Sequence, residues 1–224
     1  MEDAVRNTGY SVDFVFCIDG TATMTKHLDR VKETARSMVT DIQKLLEERK
    51  CTVAQIRAKI ILFRDYLADG DHAMLHTDFL MLPQQIQEFE GCLDGIVAEG
   101  GGDASEDGLE ALAYAIKAKW ETKGAKKRHI IVVWTDASTH ELGYGKSSQY
   151  YPRGMARDIG ELEDWWNILG EKYCSMMILF TPEKSYWDYI SRNWDSVIHF
   201  PSDAGEGLED RTYREILSAI HDPP

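Results

Sequence analysis

Positive charge is scarce in this 224-residue chain: 25 lysines and arginines stand against 38 aspartates and glutamates, a formal net charge of −13. Surfaces that track phosphates depend on clustered basic side chains, so the balance argues against a nucleic-acid or anionic-membrane partner. The one basic cluster, Lys123, Lys126, Lys127 and Arg128, precedes an apolar run and reads as a solvated helix end complementing the dipole. Cysteines number four, Cys17, Cys51, Cys92 and Cys174, with no Cys-x-x-Cys pair and no Cys/His cluster. Neither a zinc site nor a redox pair is indicated, and free thiols point to a reducing compartment. No run approaches the roughly 18 apolar residues of a membrane span. Met1-Glu2-Asp3-Ala4 lacks the basic start of a secretory signal, so the expected location is cytoplasmic. Also missing are a Gly-x-Ser-x-Gly elbow and a Gly-x-x-x-x-Gly-Lys-Ser/Thr loop, and Gly100-Gly101-Gly102 lacks dinucleotide-fingerprint spacing. No catalysis is expected.

What is present is an ordinary globular composition, 43% apolar and 28% charged. A chain of this length hides roughly 70% of its unfolded surface, enough for one core without staples. Residues 1–9 read as a lead-in and 10–224 as a single domain. Apolar runs predict strands near Val12 to Ile18, Ala58 to Phe63, Ile130 to Trp134, Met176 to Phe180 and Ser196 to His199. Three-and-four spacing predicts helices over Lys26 to Arg49, Pro83 to Val97, Ser105 to Trp120, Asp158 to Gly170, Glu183 to Asn193 and Asp210 to His221. Strand alternating with helix describes a doubly wound α/β domain, its sheet mostly parallel and covered by helices on both faces. Arg64 to Leu82 breaks the rhythm and is expected to add a short antiparallel edge strand. The long loop Ala137 to Met155 follows a strand end directly, and loops of that length are often functional.

In such a sheet ligands collect outside the carboxyl ends of the strands. Three loops bring oxygen donors there. The first, Asp19-Gly20-Thr21-Ala22-Thr23, spaces a carboxylate and two hydroxyls at alternating positions. The second, Gly100 to Ser105, offers Asp103 and Ser105; the third carries Thr135, Asp136 and Ser138. Oxygen donors without imidazole or thiolate favour Mg2+, with Mn2+ and Ca2+ as alternatives. Each piece has a plainer reading taken alone: a capped turn, a glycine helix stop, a turn carboxylate.

Together the three loops resemble the metal-ion-dependent adhesion site of von Willebrand factor type A (VWA) domains. That family places Asp-x-Ser-x-Ser after the first strand, a threonine on a second loop and an aspartate after the fourth strand. Thr21 and Thr23 keep the hydroxyls, Asp136 matches the third element, and Asp103 stands where the threonine usually does. Gly100-Gly101-Gly102-Asp103-x-x-Glu106 and Phe63-Arg64-Asp65 look most like VWA modules of bacterial tellurite-resistance-associated proteins and of atypical alpha-kinases, over roughly residues 10 to 221. The resemblance implies a cation held by Asp19, Thr21, Thr23, Asp103 and Asp136. It also implies a protein partner, reached through an acidic residue at the metal and associated with kinases or phosphatases. Asp103 adds a carboxylate there; at ~4 Å and a dielectric near 20, one charge pair is worth ~4 kcal/mol, which tightens cation binding.

Ile18-Asp19-Gly20-Thr21 also resembles the Asp-x-Asp-Gly-Thr start of haloacid-dehalogenase-type magnesium phosphatases, but Cys17 occupies the place of that family's nucleophilic aspartate. A third reading is a metal-independent interaction scaffold, since Tyr144, Tyr150, Tyr151, Trp165 and Trp166 concentrate aromatics after Asp136. Arg64 and Asp65 read as an ion pair, Glu106 as a first-turn helix acid and His140 as a loop histidine, all outside the metal shell.

Overall fold

The computed structural model describes residues 9–205 and Ser218. All but Gly9 of the lead-in, and all but Ser218 of the expected Asp210 to His221 helix, lie outside the described residues.

The described residues form nine strands and five α-helices. The strands are β1 (Tyr10–Asp19), β2 (Val53–Phe63), β3 (Met74–His76), β4 (Leu80–Leu82), β5 (Ser105–Glu106), β6 (Lys126–Trp134), β7 (Ser138–Thr139), β8 (Cys174–Thr181) and β9 (Val197–Pro201). The helices are α1 (Leu28–Glu48), α2 (Ile86–Asp94), α3 (Gly108–Ile116), α4 (Ile159–Lys172) and α5 (Ser185–Asn193). The main sheet runs β3-β2-β1-β6-β8-β9, with β4 also on β2. Its central pairings are parallel, while β3 and β4 pair antiparallel with opposite ends of β2. The interruption at Arg64 to Leu82 therefore supplies two short edge strands.

Period-two alternation sorts the sheet residues between two cores. Phe14, Phe16, Ile18, Val132, Trp134, Ile178 and Phe180 face α1 and α2. Val15, Cys17, Ile131, Val133, Met177 and Leu179 face α3, α4 and α5. Strands buried on both sides read as unbroken apolar runs, which is why β1 has no polar face at its centre. Asp13 is the exception: it is fully buried and takes a two-pronged bond from Arg57, Nε to Oδ1 at 2.8 Å and Nη2 to Oδ2 at 2.6 Å.

The chain leaves β1 for β2 on one side and returns to β6 on the other, so the strand order switches direction at β1. Loops from the two strands diverge there and open a crevice above their carboxyl ends. Asp19 ends β1 and Thr135-Asp136 follows β6, so the switch point receives both motifs. A two-residue parallel pair, β5 with β7, sets Ser105 beside Ser138 and Glu106 beside Thr139, binding the second loop to the third.

Candidate metal centre

Asp19 is the buried anchor of the crevice, with no exposed surface. Its Oδ1 accepts from the Thr21 amide at 2.8 Å and the Thr21 hydroxyl at 2.6 Å, and its Oδ2 accepts from the Thr135 hydroxyl at 2.6 Å. Thr23 Oγ1 donates to Asp136 Oδ1 at 2.8 Å, and the Thr21 and Thr23 hydroxyl oxygens stand 3.3 Å apart. A continuous run of oxygens thus links Thr135, Asp19, Thr21, Thr23 and Asp136 across the switch point.

Two hydroxyl oxygens of the run meet without a hydrogen between them. A hydroxyl has one hydrogen. Thr21 gives its hydrogen to Asp19 and Thr23 gives its own to Asp136, so the two oxygens 3.3 Å apart face each other as lone pairs. Neighbouring ligands around an octahedral Mg2+ at its usual 2.0–2.1 Å stand about 3 Å apart. The 2.6 and 2.8 Å spacings along this run are hydrogen bonds, and the 3.3 Å pair is near that edge, so the donor set fits a hard divalent ion in chemistry.

Electrostatics point the same way. Burial foremost, with the Asp136 charge, pushes the Asp19 carboxyl up to about 6 against the hydrogen bonds from Thr135 and Thr21. Glu106 is 3% exposed with no hydrogen-bond partner for Oε2. Burial foremost, then the charges of Asp19, Asp65, Asp69 and Asp107, raises Glu106 to about 9. A concentration of buried carboxyls this dense is short of positive charge.

The backbone of the crevice is held by Arg64. Its guanidinium donates to the carbonyls of Gly20 at 2.9 Å, His72 at 3.0 Å and Val97 at 3.1 Å. The expected pairing with Asp65 is not what it makes; its carboxylate neighbour is Glu99 at 3.7 Å. Three carbonyls need a planar fork of donors, and Asp65 is turned instead onto the Leu67 amide at 2.6 Å. The Gly20 carbonyl also accepts from the Glu99 amide, and the Ala22 amide donates to the Gly100 carbonyl, so the first and second loops are tied through main chain.

Of the five sequence-predicted ligands, Asp19, Thr21, Thr23 and Asp136 come together in the run. Asp103 keeps different company. Half exposed, it accepts from the Ser105 amide at 2.8 Å and stands 3.1 Å from His140 Nε2 and 3.4 Å from the Tyr144 hydroxyl. The Ser105 amide foremost holds its carboxyl below the usual range. The second-loop acid whose charge is coupled to Asp19 is Glu106, which lies in β5 and not in the first turn of α3. Its buried neighbour Asp107 holds the N-cap position of α3, but its carboxylate is used by the Tyr66 amide and His140 and makes no capping bond.

His140 is only 7% exposed, stacks on Tyr144 at 3.9 Å between ring centres and lies 3.2 Å from Asp107 Oδ1 through Nδ1. No spacing rule would have linked it to Asp107; the β5–β7 pairing does. Cys17 is fully buried among residues facing α3, its Sγ 3.9 Å from the Ala111 carbonyl, on the opposite face from Ile18.

No family model matches the chain, and no curated protein does. Among solved structures it is similar to the pilus adhesin SpaC from Lactobacillus rhamnosus GG, with a TM-score of 0.57 at 14% identity over 96% of this chain and 32% of that one. The open conformation of the same adhesin gives 0.53 at 14% identity, over 96% of this chain and 31% of that one. The chain thus spans under a third of the adhesin's length, and the likeness is one of fold: a mixed α/β domain around a mostly parallel sheet. No helix among the described residues is long and apolar enough to cross a membrane.

Proposed function

We propose that the chain is a VWA-type module that holds a divalent cation, Mg2+ foremost, above β1 and β6 and binds another protein through that face. The observation that carries this reading is the pair of threonine oxygens, Thr21 and Thr23, facing each other at 3.3 Å with both hydrogens committed elsewhere. Asp19, Thr21, Thr23 and Asp136 would hold the ion, and its charge would favour ionisation of the nearby Glu106. The bound cation supplies a positive centre that recognises a carboxylate on the partner. Asp19 and Thr135 fix the first loop from below, Arg64 fixes it from the side, and Thr23 and Asp136 are the members open to solvent.

Titration calorimetry with Mg2+ tests the site: one equivalent binds to the native chain, and Asp19→Asn lowers affinity at least tenfold. Equal affinity in the two proteins would overturn it. Affinity capture of partners with and without chelator tests the use of the face, with partner loss on chelation expected.

A metal-independent scaffold is favoured by one observation, the exposure of Tyr144 and Tyr150, 49% and 47%, on the loop after Asp136. Partner binding that survives Asp19→Asn and fails in Tyr150→Ala would select that reading instead.

A further inference from the structure

Beside the oxygen run lies a group of different chemistry. Asp65, Asp107 and His140 are all buried, and one ligand atom from each lies within 4.8 Å of the others. The three come from separate stretches, the turn after β2, the turn before α3 and the residue after β7, and the β5–β7 pair draws the last two together. From this cluster we propose a second divalent-cation site, formed by Asp65, Asp107 and His140 and selective for a first-row transition ion of the Mn2+ or Zn2+ kind.

The spacing suits coordination. His140 Nδ1 and Asp107 Oδ1 are 3.2 Å apart, the edge expected of neighbouring ligands about 2.1 Å from a shared ion. Asp65 Oδ1 is used by the Leu67 amide and Asp107 Oδ2 by the Tyr66 amide at 2.7 Å, so each carboxylate is fixed by one oxygen and keeps the other for a ligand. The far nitrogen of the ring, Nε2, meets Asp103 Oδ1 at 3.1 Å. A carboxylate on the outer nitrogen of a metal-bound histidine fixes the tautomer and turns the other nitrogen's lone pair inward, which gives the half-exposed Asp103 a positioning role.

Glu106, already counted at the first site, also borders this cluster. Its side chain is 3% exposed, Oε2 has no hydrogen-bond partner, and it interacts electrostatically with Asp65 and Asp107 as well as with Asp19. A buried carboxyl oxygen left unpaired costs the full desolvation penalty unless a cation or donor meets it. The imidazole separates this site from the first. Oxygen-only donors suit Mg2+ and Ca2+, whereas carboxylates with one imidazole suit Mn2+ and Zn2+. Gly145 packs against Tyr66 and lies near Asp107, so the loop after β7 shields the group while Asp103 leaves its rim open to water.

The test is Mn2+ binding by the full chain, by calorimetry and by pulsed electron paramagnetic resonance for 14N coupling to imidazole. Two equivalents are expected for the native protein, one with 14N coupling. His140→Gln should lose that equivalent and the coupling while still binding one Mg2+, and Asp103→Asn should weaken it about tenfold. Asp65→Asn probes the same ion independently if His140→Gln fails to fold. Asp19→Asn should remove the other equivalent and leave the coupled one, which separates this proposal from the first site. Unchanged Mn2+ stoichiometry without 14N coupling in the native chain, or coupling that survives both His140→Gln and Asp65→Asn, would overturn it.

Discussion

Glu110 shows what a single buried acid does to the balance of stability. Placed on the inner side of α3 with no exposed surface, it accepts from the Gly143 amide at 2.9 Å and the Tyr151 hydroxyl at 2.8 Å through Oε1, while Oε2 has no partner. Burial foremost, then the Asp107 charge, raises its carboxyl from 4.5 to about 7. The folded chain therefore holds this proton over a range where the unfolded chain has released it. Stability drawn from the protonated form is complete below about 4.5 and is lost as pH rises to about 7. Glu110→Gln keeps an acceptor for both donors and removes the titration. The variant should gain on the order of 3 kcal/mol over the native chain at pH 8 and nothing at pH 4, read from urea unfolding at the two pH values. Residue chemistry of this kind was only half legible beforehand. That Asp19, Thr21, Thr23 and Asp136 meet at one rim was legible in their spacing and in the strand ends they follow. Glu106 and His140 come to it only through the β5–β7 pairing, which brings residues 33 positions apart into one pocket.

Element boundaries were legible wherever burial is two-sided and blurred where polar residues enter a strand. The run Ala58 to Phe63 marks the inner half of β2, but the strand starts at Val53 because Gln55 and Arg57 still hold ladder positions against β1. Lys126, Lys127 and Arg128 likewise belong to β6, where Lys126 and Arg128 lie over the Tyr10 ring and Lys127 over Tyr173, and do not cap a helix. Periodicity carried α2 and α3 too far: α2 stops at Asp94 before Gly95, and Ser105-Glu106 is taken by the pairing with β7. The buried Asp13–Arg57 bridge between β1 and β2 is the strongest test of an element contact. Asp13 also accepts from the Glu121 amide at 2.7 Å, so Asp13→Ala strands both the guanidinium and a backbone donor. A loss of about 3 kcal/mol is expected, seen as a lower urea midpoint at unchanged slope. Gly101 tests the second loop. Its φ is +90°, and an added Cβ would stand 3.1 Å from Glu106 Oε1 and 3.2 Å from Thr21 Cβ. Gly101→Ala should weaken Mg2+ binding at least tenfold in calorimetry by pushing Thr21 from its place, with little change in helical circular dichroism.

At the scale of the molecule, acidity and architecture meet at one end. The doubly wound plan delivers loops from β1, β2 and β6 to a single rim, and carboxyls from those loops are buried there against their own repulsion. A ligand that binds the folded chain and not the unfolded one stabilises it by mass action, about 2.7 kcal/mol at a hundred times Kd. Saturating Mg2+ should raise the melting temperature by roughly 5–10 °C. The rise should vanish in Asp19→Asn, and scanning calorimetry with chelator sets the baseline.

The loop bearing Asp136 is moored at two distant points. Trp187 of α5 donates its indole hydrogen to the Ala137 carbonyl at 3.2 Å, and the Ala204 amide donates to the Thr135 carbonyl at 3.0 Å. Trp187 is itself wedged against Gly108, where an added Cβ would stand 2.6 Å from its ring. The backbone on either side of Asp136 is therefore tied to α5, to the start of α3 and to the stretch beyond β9. Trp187 thereby joins the rim to the far flank of the sheet through one side chain, so a change in its volume would be felt at both.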